Sequence, residues 1–296
     1  MHWTLASSPD DVGAVIADAD ILVLSNRVCT PDLGRALRGA TPSLRWIHFI
    51  TAGIERGLAM GLPSQARVSN ASGLKRRTVA EHALTLLLAL MRRLPELQAA
   101  QRAHAWRRDE VQRRLSSLEG KTVCVVGMGA IGREVARKLR AFDARLVAVS
   151  RKGKSGPDFE AVFPRERLRD GIATADAVVI CTSADPSSRH LIGAPELAAM
   201  KPDAYLVNIA RGMIVDEAAL VQALRTKRIG GAALDVTEVE PLRSDSPLWD
   251  LPNVIVSPHV AGAGAPDYDA QRALFAANLE RFCANEPLLN QCLPAT

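Results

Sequence analysis

The chain has 296 residues, of which 48% are hydrophobic and 23% are charged, and its formal net charge is +5. This length exceeds that of a usual single domain, so we expect two domains, and the composition excludes a disordered or fibrous protein. Because the basic residues are spread along the chain and only 4% of the residues are aromatic, we expect no nucleic-acid partner; small anionic ligands suit this charge better.

The cysteines and the N terminus indicate the compartment. All five cysteines stand singly, with no CxxC pair and no histidine at metal-binding spacing, so we expect buried, unreactive thiols in a reducing compartment and no metal site. The N terminus lacks the basic head and apolar run of an export signal, and no apolar run approaches the ~20 residues of a membrane span. We therefore expect a cytoplasmic protein without a membrane partner. The cysteines are Cys29, Cys124, Cys181, Cys283 and Cys292.

The N-terminal third of the chain alternates short apolar stretches with turns that contain glycine or proline. Stretches 21–24 and 44–50 are predicted strands, and the pattern is typical of an α/β fold. A long helix is predicted at 78–94. Since apolar residues surround this helix, we expect it to be buried on several sides, at an interface between domains or subunits.

From Thr122 onward the pattern changes to short strands that are apolar throughout. Stretch 122–126 leads directly into a glycine-rich loop and a predicted helix at 133–142. Continuously apolar strands indicate a parallel sheet that is covered by helices on both faces. With five further strands the sequence predicts a doubly wound sheet, followed by a last helix at 267–287 that returns to the first domain. The further strands are predicted at 145–149, 177–181, 205–209, 231–234 and 254–257.

The loop after the first of these strands has the spacing GxGxxG, at 127–132. This spacing also occurs in ordinary turns, but here it joins a buried strand to the start of a helix. Gly127 would make the tight turn, Gly129 would let the backbone approach a pyrophosphate, and Gly132 would allow close packing of the helix. The free amides at a helix N terminus favour phosphate groups. The sequence therefore predicts a dinucleotide site.

The end of the second strand of this sheet indicates which dinucleotide binds. Sites selective for NAD usually place a carboxylate there, about 20 residues after the glycines, to bind the ribose hydroxyls. This chain has Ser150, Arg151 and Lys152 instead, and cations attract the 2′-phosphate of NADP(H). We therefore expect NADP(H) to be preferred and NAD(H) to be an alternative cofactor. In the other interpretation, Arg151 and Lys152 only form a solvated turn.

Three polar residues follow strands of the same sheet, at the edge where ligands bind. A carbonyl reduction needs an acid to protonate the forming alkoxide, and His259 fits because an imidazole titrates near neutral pH. Glu240, hydrogen-bonded to this ring, would raise its pKa and fix its tautomer. Arg211 would bind a substrate carboxylate and polarise the carbonyl. Each residue also has a plain structural interpretation, and their spacing alone does not establish a triad.

Several separated motifs resemble those of the D-isomer-specific 2-hydroxyacid dehydrogenases. This family includes glyoxylate/hydroxypyruvate reductases and phosphoglycerate dehydrogenases, and the resemblance extends from Leu44 to Asn290. Because seven motifs recur together, the resemblance is highly specific. They are TAGI at 51–54, VAEHAL at 79–84, GMGAIG at 127–132, NIARG at 208–212, ALDV at 233–236, EPL at 240–242 and SPH at 257–259.

Together with the basic segment at 150–152, which favours NADP(H), the resemblance implies an oxidoreductase that moves a hydride between this cofactor and a small 2-oxo or 2-hydroxy acid such as glyoxylate or hydroxypyruvate. It implies His259 as general acid/base, Glu240 as its partner and Arg211 as the substrate anchor, with Asp235 at the nicotinamide. His82, inside the motif at 79–84, is interpreted as structural. The expected cofactor contacts are Gly127, Gly129, Ala130, Ile131, Gly132, Ser150, Arg151, Lys152, Thr182, Ala210 and Asp235.

The resemblance also implies the architecture. A smaller flavodoxin-like α/β substrate domain would comprise residues 1–92 and 267–296, and a Rossmann nucleotide domain would comprise residues 93–266, with two chains forming a homodimer. Backbone amides around Ala52, Gly53 and Ile54 would bind the substrate carboxylate.

Lys75 departs from the family, whose members often carry asparagine or histidine at the aligned position. This lysine would add a cation to the substrate pocket and favour a substrate with a further negative charge or polar group; alternatively it belongs to a solvated basic run at 75–77. Trp106 or Trp249 would line the pocket, unless these rings lie in the core.

Two other functions stay open at this point. One is an NAD-linked dehydrogenase of the phosphoglycerate type, which the basic segment at 150–152 disfavours. The other is a dinucleotide-sensing binding protein that resembles transcriptional corepressors; the presence of all three catalytic candidates favours an enzyme.

Overall fold

The computed structural model describes residues 2–8, 11–12, 15–39, 43–151, 156, 158–264 and 268–293. The chain folds into two compact units, a smaller unit at 1–74 and 265–296 and a larger unit at 75–264. The elements in chain order are β1 (Ile21–Leu24), α1 (Pro31–Gly39), β2 (Trp46–Phe49), α2 (Glu55–Met60), β3 (Arg67–Asn70), α3 (Arg76–Met91), α4 (Leu94–Arg102), α5 (Arg108–Gln112), β4 (Thr122–Val126), α6 (Ala130–Arg140), β5 (Arg145–Ser150), β6 (Ala161–Pro164), α7 (Leu168–Ala173), β7 (Ala177–Ile180), α8 (Ala194–Ala199), β8 (Tyr205–Asn208), α9 (Glu217–Arg225), β9 (Gly231–Leu234), β10 (Val254–Val256), α10 (Tyr268–Cys283) and β11 (Gln291–Leu293).

The larger unit is built on a parallel sheet of seven strands in the order β10-β9-β8-β7-β4-β5-β6. The strand order reverses on the two sides of β4, which confirms the predicted doubly wound fold. Every side chain of β4 is buried. Cys124 and Val126 pack into one apolar cluster while Val123 and Val125 pack into another. Both faces are therefore covered, which explains why this strand is apolar throughout.

The sequence predicted six strands in this sheet, and the structure has a seventh, β6. This strand has four partly buried residues, ends in Pro164 and pairs only with β5 at the edge of the sheet. An edge strand needs neither continuous burial nor a backbone N–H donor at every residue. Its sequence can therefore resemble that of a loop.

The boundary between the units differs from the predicted one, because α3 belongs to the larger unit and not to the smaller one. Its apolar residues, among them Ala83, Leu87 and Leu90, share a buried cluster with Val135 and Leu139 of α6. The helix is buried on several sides within one unit, so its sequence does not reveal to which unit it belongs. The second predicted boundary, between residues 266 and 267, lies outside the described residues. The roles assigned to the two units stay predictions.

The smaller unit is α/β with a mixed sheet in the order β1-β2-β3-β11, in which only β11 is antiparallel to its neighbour. All four residues of β2 are buried, with Ile47 on one face and Trp46 on the other. Sequence patterns missed β3 because it contains Ser69, whose hydroxyl accepts a hydrogen bond from Trp46 Nε1 at 2.8 Å. A polar side chain can occupy the core when such a partner satisfies it.

The expectation of buried, unreactive cysteines is correct for three thiols and wrong for two. Burial raises the pKa of Cys124 and Cys181 to about 12, so both stay protonated. Cys283 and Cys292 are exposed: Cys283 is the last residue of α10, and Cys292 lies in the edge strand β11. Among the helices of the described residues, none has both the length and the apolar character needed to span a membrane.

His48 makes the stability of the smaller unit depend on pH. Its ring is 2% exposed, and burial lowers its pKa from the usual 6.5 to about 4. Between these pH values the unfolded chain binds more protons than the folded chain, so stability falls as the pH decreases. We expect the free energy of unfolding in urea to fall by at most ~1.4 kcal/mol per pH unit in this range. A His48→Gln variant serves as control, and an equal pH dependence in both proteins would contradict the prediction.

Candidate active site

Within the larger unit, seven candidate site residues lie at or just after the carboxyl ends of strands of the seven-stranded sheet. Because the strands are parallel, their carboxyl ends meet at one edge of the sheet. Backbone bonds join successive segments: Gly127 N donates to Val149 O at 2.8 Å, and Ser257 N donates to Leu234 O at 2.9 Å. The residues that follow the strand ends or occupy them are Gly127, Ser150, Thr182, Ala210, Arg211, Asp235 and His259.

The three glycines of the first loop each meet a different requirement. Gly127 has a φ of 108°, and a Cβ there would lie 2.7 Å from the backbone of Thr182. At Gly132 a Cβ would lie 1.9 Å from the Gly127 carbonyl oxygen, so only glycine allows this packing. A Cβ at Gly129 would meet no atom within 4 Å. This open space at the N terminus of α6 fits a pyrophosphate, since neither packing nor backbone conformation requires that glycine.

The residues at the end of β5 also suit a phosphate. Ser150 is the last residue of the strand and is partly buried, and Arg151 is exposed in the turn that follows. The helix α6 begins with Ala130, which is exposed, and Ile131, which is partly buried. Lys152, the third polar residue of the predicted segment, lies outside the described residues. Neither Ser150 nor Arg151 carries the negative charge that would repel a 2′-phosphate.

His259 and Glu240 are in direct contact. The Nδ1 atom of His259 lies 2.7 Å from Glu240 Oε2, and the other carboxylate oxygen accepts a hydrogen bond from Thr237 N at 3.3 Å. The hydrogen bond that His259 donates to Glu240 raises the pKa of His259, while burial and the positive charge of Arg211 oppose it. For Glu240, burial acts to raise the pKa, but the His259 hydrogen bond and charge outweigh it and lower the pKa. The pair therefore favours a charged imidazole beside a carboxylate.

Arg211 is held by its own segment against the segment that carries Glu240. Asn208 Nδ2 donates to Arg211 O at 3.0 Å, and Arg211 Nη1 donates to Ala210 O at 2.7 Å. A Cβ at Gly212 would lie 1.9 Å from Thr237 O, so the two segments touch through backbone. The charge of Arg211 lowers the pKa of both Glu240 and His259, which shows that the three groups share one electrostatic environment.

Asp235 organises the turn that carries His259. Its carboxylate, which is 1% exposed, accepts hydrogen bonds from Ser257 Oγ at 2.6 Å and from the amides of Val260 and Ala261, each at 2.9 Å. His259 N donates to Asp235 O at 2.8 Å. His259 has a φ of 53°, a left-handed conformation that costs a non-glycine residue free energy and needs surrounding bonds to hold it. Sequence reasoning missed this function of Asp235 and Ser257, although both belong to quoted motifs; a contact of Asp235 with the nicotinamide stays a prediction.

A cavity of about 600 Å³ opens beside His259 and Glu240. Its wall is mostly apolar and includes Leu242, Val256 and Trp249. Trp249 is 52% exposed, and its ring nitrogen donates to Arg243 O at 2.8 Å, whereas Trp106 is 93% exposed and lies elsewhere. Of the two tryptophans singled out in the sequence, only Trp249 lines this cavity, which has room for a small ligand.

Comparison with known proteins identifies the family. Residues 84–261 match the model of the NAD-binding domain of D-isomer specific 2-hydroxyacid dehydrogenases. The chain belongs to this family. It is 33% identical to a glyoxylate reductase from Thermococcus gammatolerans, over 90% of this chain and 79% of the relative. It is also 32% identical to a D-3-phosphoglycerate dehydrogenase from Mycobacterium bovis, over 91% of this chain but only 50% of that longer protein.

The chain is also similar to a solved structure, that of a D-isomer specific 2-hydroxyacid dehydrogenase from Xanthobacter autotrophicus in complex with NADPH and MES. The two sequences are 33% identical. The two chains superimpose with a TM-score of 0.75, covering 84% of this chain and 78% of the other. Membership of the family makes the chain an NAD(P)-dependent oxidoreductase of the 2-hydroxyacid dehydrogenase type.

The other predicted substrate contacts of this dehydrogenase are Lys75 in the larger unit and the loop at 52–54 in the smaller unit. Lys75 precedes α3, and its ammonium donates to Gly262 O at 2.8 Å; it does not line the cavity. Ala52, Gly53 and Ile54 belong to the smaller unit, where Asn70 Nδ2 donates to Ala52 O at 2.7 Å and Thr51 Oγ1 donates to Gly53 O at 2.9 Å. These bonds shape the loop, and the function of its amides stays a prediction.

Replacing Glu240 with glutamine is expected to shift the pH profile of 2-oxo acid reduction. A neutral amide no longer raises the pKa of His259, so the ring loses its proton at lower pH. The alkaline limb of kcat/KM for reduction should therefore move to lower pH. A Glu238→Gln variant is the matched control, because Glu238 Oε1 contacts His190 at 2.8 Å but does not line the cavity. An unshifted limb in Glu240→Gln would contradict the pairing.

Proposed function

We propose that this chain is an NADP(H)-preferring reductase of small 2-oxo acids such as glyoxylate and hydroxypyruvate, with His259 as general acid. The observation that carries the proposal is the 2.7 Å contact of His259 with Glu240 at the wall of a cavity. The glyoxylate reductase relative supports the substrate class. The related structure that contains NADPH supports the cofactor class.

Each residue of the site has a separate role in the proposed carbonyl reduction. When bound, the reduced nicotinamide supplies the hydride for the C2 carbon of the substrate. His259 Nδ1 faces Glu240, so the proton for the carbonyl oxygen comes from Nε2, and the neutral ring then regains a proton from solvent. Arg211 binds the substrate and stabilises negative charge on that oxygen. Glu240 keeps the imidazole charged until the proton leaves.

Ser150 and Arg151 are proposed to select NADP(H), with Lys152 as a further cation. Replacing Arg151 with alanine should raise the Kd for NADPH about 10-fold or more, because one charge-assisted hydrogen bond to the 2′-phosphate is lost. The Kd for NADH should hardly change, since NADH has no 2′-phosphate. Titration of nicotinamide fluorescence measures both constants. Arg145→Ala is the control, because Arg145 is exposed at the opposite end of the same strand. Equal losses for the two dinucleotides would refute this assignment.

One experiment separates the proposed function from its alternatives. Purified protein is mixed with NADPH or NADH and a panel of 2-oxo acids, with and without a second anionic group, and the nicotinamide absorbance is followed. Oxidation of NADPH with glyoxylate or hydroxypyruvate supports the proposal. Oxidation of NADH with a phosphorylated 2-oxo acid alone indicates a phosphoglycerate-type dehydrogenase, and a preference for doubly anionic acids would agree with the expectation for Lys75. No oxidation with any acid would indicate a dinucleotide-sensing binding protein. Sedimentation of the same sample tests the expected homodimer.

A further inference from the structure

His82 contacts the turn that carries His259, although its motif position in the sequence indicates only a structural residue. It lies on α3, its side chain is 23% exposed, and its Nε2 atom is 2.9 Å from Ser257 Oγ and 3.3 Å from Asp235 Oδ1. All three groups belong to the larger unit. His82 is thus a titratable side chain that touches this turn without lining the cavity.

The hydrogen bonds determine which way the protons point. A carboxylate only accepts hydrogen bonds, so the single hydroxyl proton of Ser257 goes to Asp235 Oδ1, at 2.6 Å. The Ser257 oxygen is then left as an acceptor toward His82. The Nε2 atom of His82 must therefore carry a proton and donate it to Ser257, with Asp235 Oδ1 as a second, longer acceptor.

This contact extends to the backbone of the catalytic turn. Asp235, the residue that His82 and Ser257 face, accepts the amide protons of Val260 and Ala261 on the far side of His259. It also contributes its carbonyl to His259 N. The left-handed backbone of His259 is thus held on both sides by one buried carboxylate. His82 of α3 contacts this carboxylate and Ser257.

We propose that His82 is a positioning residue for catalysis: through Ser257 and Asp235 it holds the turn that aims His259 at its substrate. The expected effect of His82 on kcat rests on the proposed function, whereas its expected effect on the backbone of the turn does not. The groups whose charge acts on His259 are Glu240, Arg211 and Asp235. Because His82 contacts Asp235, replacing His82 should loosen the turn and weaken the alignment of His259 with Glu240.

The test uses the full chain in four variants: His82→Ala, the conservative His82→Gln, Ser257→Ala, and the double variant His82→Ala/Ser257→Ala. In His82→Ala we expect amide exchange at Val260 and Ala261 to be about fivefold faster or more, because one hydrogen bond of the network is lost. The pKa of His259, followed by NMR, should fall, and kcat should drop about 10-fold. Glutamine keeps a donor and should restore most of each value. The double variant should be little worse than the single variants.

Thr85→Ala is the control on the same helix, because Thr85 is exposed and bonds only to Glu81 O among the contacts described. The proposal is overturned if exchange at Val260 and Ala261 and the pKa of His259 are both unchanged in His82→Ala, whatever happens to kcat. Fully additive effects of the His82 and Ser257 replacements would also overturn it. If the wild-type chain reduces no 2-oxo acid, the proposed function fails, while exchange and titration still decide the function of His82.

Discussion

Replacing His259 with alanine is expected to lower kcat for 2-oxo acid reduction by about 100-fold or more, because the carbonyl oxygen loses its proton donor. The Kd for NADPH should stay nearly unchanged, since the dinucleotide is expected at the glycine loop and at the end of β5. Steady-state kinetics with NADPH and glyoxylate measure the first quantity, and nicotinamide fluorescence measures the second. The 2.7 Å contact with Glu240 and the raised pKa of His259 support this ring as the proposed acid.

The chain offers a matched control for this variant. His190 also forms a pair with a glutamate, since its Nε2 atom lies 2.8 Å from Glu238 Oε1, but it does not line the cavity. His190→Ala should therefore leave kcat close to the wild-type value. If His259→Ala kept most of the wild-type kcat, the proposed acid would be wrong. If both variants lost activity equally, the loss would reflect damage to the fold.

Replacing Arg211 with glutamine is expected to lower kcat/KM by about 100-fold to 1,000-fold, the usual result of removing a group that stabilises charge developing on a reacting oxygen. The guanidinium is the positive charge that acts on both members of the His259–Glu240 pair. Its removal should also let the pKa of His259 rise, so the alkaline limb of the pH profile should move to higher pH. This direction is opposite to that expected for Glu240→Gln.

Two further variants sharpen the Arg211 prediction. Arg211→Lys should recover little activity, because an ammonium lacks the planar pair of donors that binds a carboxylate. Arg225→Gln, at an exposed position near the end of α9, should behave like the wild-type chain. A kcat/KM for Arg211→Gln within a few-fold of the wild-type value would remove Arg211 from the proposed mechanism.

The parts of the molecule that the sequence predicted well depend on local patterns. The turn at 127–132 needs its glycines for reasons that act within a few residues and one neighbouring strand: a φ of 108° at Gly127, and contact between Gly132 and the Gly127 carbonyl. Burial on both faces likewise leaves a continuous apolar pattern in β4. Such constraints appear directly in the residue types, so the doubly wound fold was predictable.

Other parts depend on contacts between distant residues, and sequence patterns missed them. The edge strand β6 and the short β3 lack a distinctive pattern, because one is partly exposed and the other contains a serine satisfied by Trp46. The boundary at 74/75 depends on which neighbours α3 packs against, and an apolar helix does not encode that choice. The Lys75 ammonium donates to the carbonyl of Gly262, far along the chain, a contact that the sequence does not indicate; its contact with a substrate stays a prediction.

The sequence by itself determined the fold class, the family and the types of residue available for carbonyl reduction, because turn chemistry, apolar periodicity and motif spacing are local properties. Only the tertiary structure decided that His259 meets Glu240 at 2.7 Å, that Asp235 holds the turn that carries His259, and that His82 reaches this turn from α3. The physical reason is that hydrogen-bond strength and pKa shifts depend on distances of a few ångströms between residues that the chain separates widely, and these distances exist only once the sheet and its helices have packed.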